Sequence, residues 1–85
     1  MLSTIRKKLS FRAWHRGTRE ADLLMGRFAD AFLNDCSDEQ EKQFAELLEE
    51  SDPDIYDWIT GRIALPQKSF DPVLRALIDF YRLAA

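Results

Sequence analysis

The chain is poor in the residues that carry most protein chemistry: one cysteine, one histidine, three glycines and three prolines in 85 residues. Cys36 alone cannot close an intramolecular disulfide or build a cysteine zinc site, and it suits a reducing compartment. His15 alone excludes a multi-histidine metal site within one chain. A nucleophile pair would have to join Cys36 to His15, and nothing in their spacing does so. Cys36 is expected to pack at the end of the second helix as a buried, inert thiol. No phosphate-binding glycine loop or zinc motif is present. No apolar run approaches the ~20 residues that cross a bilayer. Internal repeats, low-complexity segments and convincing runs of alternating β-branched residues are also missing. The carboxylates read as solvated faces, not paired acids, so an enzyme is not expected.

What is there is a globular composition: 46% hydrophobic and 32% charged residues. The length allows one domain, spanning 1–85. The net charge of −3 hides a split. Residues 1–20 hold six bases (Arg6, Lys7, Lys8, Arg12, Arg16, Arg19) against Glu20, and the remainder holds six bases against fourteen acids. The basic start could meet an acidic protein surface, nucleic acid or lipid head groups. It contains Arg and Ser and few acids, as transit peptides do. It runs into Arg16-Gly17 without a spacer, however, so a cleaved signal is not expected.

The periodicity is helical throughout. Ile5, Leu9 and Ala13 recur every four residues and predict a first helix over about 3–16, with Phe11 and Trp14 as a flanking stripe. A second is expected over about 18–34, with Ala21, Leu24, Met25, Phe28, Ala29 and Phe32 on its apolar face. Gly26 in its middle lowers helix propensity by about 1 kcal/mol, which close helix–helix packing explains better than a bend. Ser37 with Gln40 reads as a capping box opening a third helix to about residue 50, with Phe44, Leu47 and Leu48 inward. Asp52-Pro53 reads as cap plus first-turn proline for a short fourth helix holding Ile55, Tyr56, Trp58 and Ile59, which Gly61 ends. Residues 65–68 read as a loop. Asp71-Pro72 opens a fifth helix with Leu74, Leu77, Ile78 and Tyr81 on one face. The fold class that follows is all-α, a compact antiparallel five-helix bundle. A helix-turn-helix reader of DNA is the rival arrangement.

One corner stands out. Arg16-Gly17-Thr18-Arg19-Glu20 sets an arginine, a glycine and a carboxylate into the turn between the first two helices. Glycine tolerates the backbone angles that end a helix and reverse the chain. Taken alone, this is a helix C-cap with charges that suit the helix dipoles. It also suits docking. Asp52, Asp54 and Asp57 beside Trp58 offer a similar choice between a capped helix start and an interaction edge.

Read in order, these pieces resemble the SdhE-type succinate dehydrogenase assembly factors, also called FAD assembly factors, the RGxxE family. The resemblance runs through Arg16-Gly17-x-x-Glu20, Ala21-Asp22-Leu23-Leu24, Phe28, Ser37-Asp38-Glu39-Gln40-Glu41, Phe44, Leu47-Leu48-Glu49, Asp52-Pro53-Asp54 and Trp58. His15 departs from the family's usual second arginine, and Ala21 from a larger aliphatic residue. The resemblance implies a small chaperone that binds the flavoprotein subunit of succinate dehydrogenase, or of fumarate reductase in bacteria. It would promote covalent attachment of FAD to a histidine of that subunit.

The resemblance assigns partner binding to Arg16, Gly17 and Glu20, with His15, Arg12, Arg19, Asp52 and Asp54 as further candidates. It implies no tightly bound cofactor of the chain's own, since FAD belongs to the client. The expected setting is the bacterial cytoplasm, ahead of the mitochondrial matrix, and the chain is expected to be a monomer outside the complex. Neither nucleic acid nor membrane is an expected partner. The alternative reading is a small helical nucleic-acid-binding domain using the basic N-terminal helix. The acidic remainder, which would repel phosphate, argues against it.

Overall fold

A computed structural model of the chain describes residues 3–84. These hold five helices: α1 (Thr4–Trp14), α2 (Arg19–Phe32), α3 (Asp38–Leu47), α4 (Asp52–Ile59) and α5 (Asp71–Ala84). No strand occurs among the described residues. The all-α class read from the sequence therefore holds. The chain divides between Glu41 and Lys42 into two compact units.

In the first unit α1 packs along α2. Its buried residues are Leu9 and Ala13 from α1, Ala21, Met25, Phe28 and Ala29 from α2, and Leu33 and Cys36 after it. Ile5, expected on the same stripe as Leu9, is 61% exposed. Arg6 takes the inward place in that first turn, for reasons given below. Gly26 lies against the Trp14 indole: a Cβ there would come within 2.1 Å of Trp14 Cδ2. The close approach expected at this glycine is real, and its partner is an aromatic ring. Ser3 caps α1 and Thr18 caps α2, each hydroxyl accepting from the amide three residues on.

The start of α3 carries the expected capping box in full. The Gln40 amide donates to Ser37 Oγ at 3.1 Å, and the Ser37 amide donates to Gln40 Oε1 at 2.8 Å. The helix proper ends at Leu47, earlier than expected. The chain winds on with the Glu49 amide bonded to the Glu46 carbonyl and the Glu50 amide to the Leu47 carbonyl, three residues back in each case.

In the second unit Phe44, Leu47, Leu48, Ile55, Trp58, Ile59, Phe70, Val73, Leu74 and Leu77 are buried. The cap of α4 is Ser51, not Asp52: Ser51 Oγ accepts from the Asp54 amide at 3.3 Å. Asp52 and Pro53 fall inside the first turn, where proline's missing amide has no helical partner to lose. Gly61 ends α4 as expected, with φ +77°. The Arg62 amide returns to the Asp57 carbonyl at 2.9 Å and the Gly61 amide to the Trp58 carbonyl at 3.3 Å. This is the Schellman arrangement, which closes the orphan carbonyls of a helix end. On α5, Leu74 and Leu77 are buried as expected, but Tyr81 is 37% exposed in the last turn. A tyrosine can keep its hydroxyl in water while its ring covers apolar surface.

Candidate functional site

Helix α1 stops at Trp14, two residues short of Arg16, and His15 is its C-cap. The His15 ring explains the early stop. Its Nδ1–H donates to the Phe11 carbonyl at 2.6 Å, satisfying a last-turn acceptor. The ring also stacks on Phe11 with centroids 3.9 Å apart. Both side chains are exposed.

Beyond His15 the chain turns through Arg16 and Gly17. Gly17 has φ +113°, a region that side-chain-bearing residues rarely enter. A Cβ built there meets nothing within 4 Å, so the requirement for glycine is one of backbone angle, not of space within this chain. The turn is braced by Asp22. Its Oδ1 accepts from the Arg16 amide at 2.5 Å and from the Gly17 amide at 3.2 Å. Two successive amides converge on one carboxylate oxygen, a small anion nest filled by the chain's own side chain.

The corner therefore brings together Arg12 and His15 at the end of α1, Arg16 and Gly17 in the turn, and Arg19 and Glu20 in the first turn of α2. Arg16 is half-buried; the other five are exposed. Glu20 and Asp22 also lie where the α2 dipole favours negative charge. Asp52 and Asp54 belong to the second unit, in the first turn of α4, where Asp52 is half-buried and Asp54 exposed. Trp58 in the same helix is buried, its ring 5.9 Å from that of Phe70. It is a core residue there.

Two residues that matter to this unit, Asp22 and Arg6, were given no structural role in the sequence. Asp22 sits on a polar face of α2, and only its reach back to the preceding turn gives it a role. An acid in the first helical turn after a glycine turn is the signal. Arg6 is the second. From α1 its Nε donates to Glu41 Oε2 at 2.9 Å, its Nη1 to the Leu33 carbonyl at 3.0 Å and its Nη2 to the Cys36 carbonyl at 2.7 Å. Helix α2 has no basic residue in its own last turn. Arg6 supplies that cation from α1, closing the Leu33 carbonyl at the α2 C-cap and the Cys36 carbonyl in the connection to α3. The Glu41 bond pushes the Arg6 pKa up from the ordinary arginine value. In the sequence only its residue type sets it apart from Lys7 and Lys8.

Removing the brace should loosen the corner. Asp22→Ala should lower stability by about 1–2 kcal/mol in urea melts, the range for a lost charge-assisted cap. Amide exchange at Arg16 and Gly17 should rise with it, while the slowest-exchanging amides of α2 follow only the global change.

Cys36 is buried, as expected, with Sγ 4.0 Å from the Leu33 carbonyl. Burial pushes its thiol pKa up; the nearby Arg6 charge pulls the other way and loses. A raised folded pKa means the native state holds the proton more tightly than the unfolded chain. The stability this contributes is complete below the ordinary thiol value of 9.0 and is lost as pH rises through the higher folded one. Accordingly, iodoacetamide at pH 8 should label native Cys36 at least ~10-fold more slowly than the denatured chain. Comparable rates would show that the thiol is open to solvent.

The comparisons with known proteins agree with the sequence resemblance. A family model described as flavinator of succinate dehydrogenase, Sdh5, matches residues 7–81. The chain belongs to this family. Among Sdh5 relatives, the FAD assembly factor SdhE of Acetobacter pasteurianus is 38% identical over 96% of this chain and 75% of its own length. The mitochondrial succinate dehydrogenase assembly factor 2 of Dictyostelium discoideum is 34% identical over 87% of this chain, which spans 52% of that protein. The namesake protein of Aspergillus flavus is 42% identical over 69% of this chain, a match spanning 20% of that longer protein. No solved structure matches the chain. The corner from Arg12 to Glu20 lies inside the Sdh5 match, as do Asp52, Asp54 and Trp58. No helix among the described residues is long and apolar enough to cross a membrane.

Proposed function

We propose that this chain binds the flavoprotein subunit of succinate dehydrogenase, or of fumarate reductase, and promotes covalent attachment of FAD to it, with the Arg16–Glu20 corner as its contact. The observation that carries this reading is the corner itself, exposed at every residue but the half-buried Arg16, within a chain of the flavinator family. Arg16 donates charge-assisted hydrogen bonds to carboxylate or carbonyl groups of the client. Gly17, open on its Cβ side, lets client backbone approach. Glu20, in the first turn of α2, takes a client cation. Arg12, His15 and Arg19 extend the contact, and the exposed Lys7 and Lys8 of α1 raise the encounter rate.

The helper's part is to position and not to react. It holds the client in the geometry in which a client histidine and the flavin can form their bond, and positioning alone can contribute several kcal/mol. FAD is the client's cofactor in this reading. The adjacent amides of Arg16 and Gly17, which could have cradled a phosphate, already hold Asp22. The working form outside the complex is a monomer, and the setting is bacterial cytoplasm. The bacterial relative's match over 96% of this chain supports that setting.

The test is covalent flavin fluorescence of the client subunit on a denaturing gel. Arg16→Ala and Gly17→Arg should each lower the flavinylated fraction at least ~10-fold under limiting helper, the scale for losing one buried charged contact. Circular dichroism must show both variants folded, because Gly17 also holds the turn. Full flavinylation by folded Arg16→Ala would refute the assignment. Steeply salt-dependent DNA binding without client affinity would favour the nucleic-acid alternative instead.

A further inference from the structure

The second unit carries an open groove of about 470 Å³ between the end of α4 and one side of α5. Trp58 and Ile78 contribute its apolar surface, and Ile63, 51% exposed, forms an apolar edge. The Schellman closure sets that edge: the Ile63 amide donates to the same Asp57 carbonyl as Arg62. Along α5, Arg75, Asp79 and Arg82 also line the groove. Their spacing of four and three residues puts them on one helix face, with the two arginines about 10 Å apart along the axis. Among the described residues none of the three makes a salt bridge. The helix so presents cation, anion, cation in sequence beside an apolar floor.

We propose that this groove is a second docking site for the flavoprotein client, taking a polypeptide segment with an apolar side chain flanked by acids. The inference rests on the client reading above. Charge order selects the occupant. A segment bearing two carboxylates with a donor between them matches Arg75, Asp79 and Arg82 in register, and its apolar side chain covers Ile63 and Ile78. A dinucleotide does not match, because its linked phosphates would face Asp79 between the two arginines. Two modest contacts on one client also multiply: the second forms at high effective concentration once the first is made. A helper with one exposed corner and one groove can thus hold a large subunit with little interface at either.

The experiment uses the full chain and the purified apo flavoprotein subunit. Binding is measured by calorimetry for wild type, for Arg75→Glu/Arg82→Glu and for Asp79→Lys. A benzophenone photo-crosslinker is placed at Ile63 in a parallel sample. The double charge reversal should weaken binding at least ~10-fold, and Asp79→Lys should weaken it several-fold, the scale of reversed interfacial charges. The helical signal should be unchanged in both, and the Ile63 probe should crosslink to an acid-containing client peptide. Wild-type binding with unchanged affinity in both variants and no crosslink would overturn the groove proposal and leave the corner standing. Binding of free FAD by wild type that Arg75→Glu/Arg82→Glu abolishes would also overturn it, in favour of a dinucleotide site. No binding by wild type would overturn the client reading itself and this proposal with it.

Discussion

Gly26→Ala is expected to destabilise the protein by about 2–3 kcal/mol, although alanine is the better helix former. The added methyl would lie 2.1 Å from Trp14 Cδ2, 2.4 Å from Cε2 and 2.5 Å from Cε3, distances that atoms cannot share. The contact falls on the body of the indole, not on a flexible tip. The ring is also held: Trp14 Nε1–H donates to Asp30 Oδ1 at 3.3 Å, an oxygen that Ser10 Oγ also approaches at 3.4 Å. So α1 must lift from α2, loosening Leu9 and Ala13. The helix-propensity gain of about 1 kcal/mol opposes this without matching it. A double-mutant cycle isolates the cause. In a Trp14→Ala background, Gly26→Ala should become neutral or stabilising by up to about 1 kcal/mol. Equal destabilisation with and without Trp14 in urea melts would show that the glycine serves some other purpose.

Arg6→Met should lower Tm by roughly 10 °C in a chain of this size. Methionine keeps the apolar stem but strands the Leu33 and Cys36 carbonyls and the Glu41 carboxylate, all of which now receive guanidinium donors. Arg6→Lys should recover less than half of the loss, because an ammonium cannot span three acceptors set around a planar fork. The Cys36 thiol offers an independent readout. With the clamp gone, its alkylation should accelerate well before the global melt. A Tm within 2 °C of wild type for Arg6→Met would mean that these bonds merely replace bonds to water.

How far these features could be read in advance depends on the range over which each is determined. The capping box at Ser37 and Gln40 and the helix stop at Gly61 are local, and the sequence states them directly. The tight approach at Gly26 was legible because a mid-helix glycine is unfavourable unless something needs the space. The identity of that something, Trp14, depends on how two helices cross. Ser51 and Asp52 are both good caps, and the choice turned on which side chain reached the Asp54 amide. Ile5 and Arg6 exchange their expected places because α2 ends without a cation of its own. No periodicity within α1 encodes that need. At the candidate site the Arg16-Gly17-x-x-Glu20 pattern was visible, whereas the carboxylate that braces it was not, since Asp22 acts backwards across a turn. The groove beside α5 was invisible for a similar reason: its residues are 58–63 and 75–82, brought together only by the loop between α4 and α5.

The Asp22 bonds carry a kinetic consequence. A surface loop that must freeze on contact loses roughly 1–2 kcal/mol per residue in chain entropy at the moment of binding. Here Arg16 and Gly17 are tied down before any client arrives, so that loss was met during folding. Recognition at this corner should then behave as rigid docking, with a single association phase whose rate follows ionic strength and client concentration and with no slower, concentration-independent ordering phase behind it.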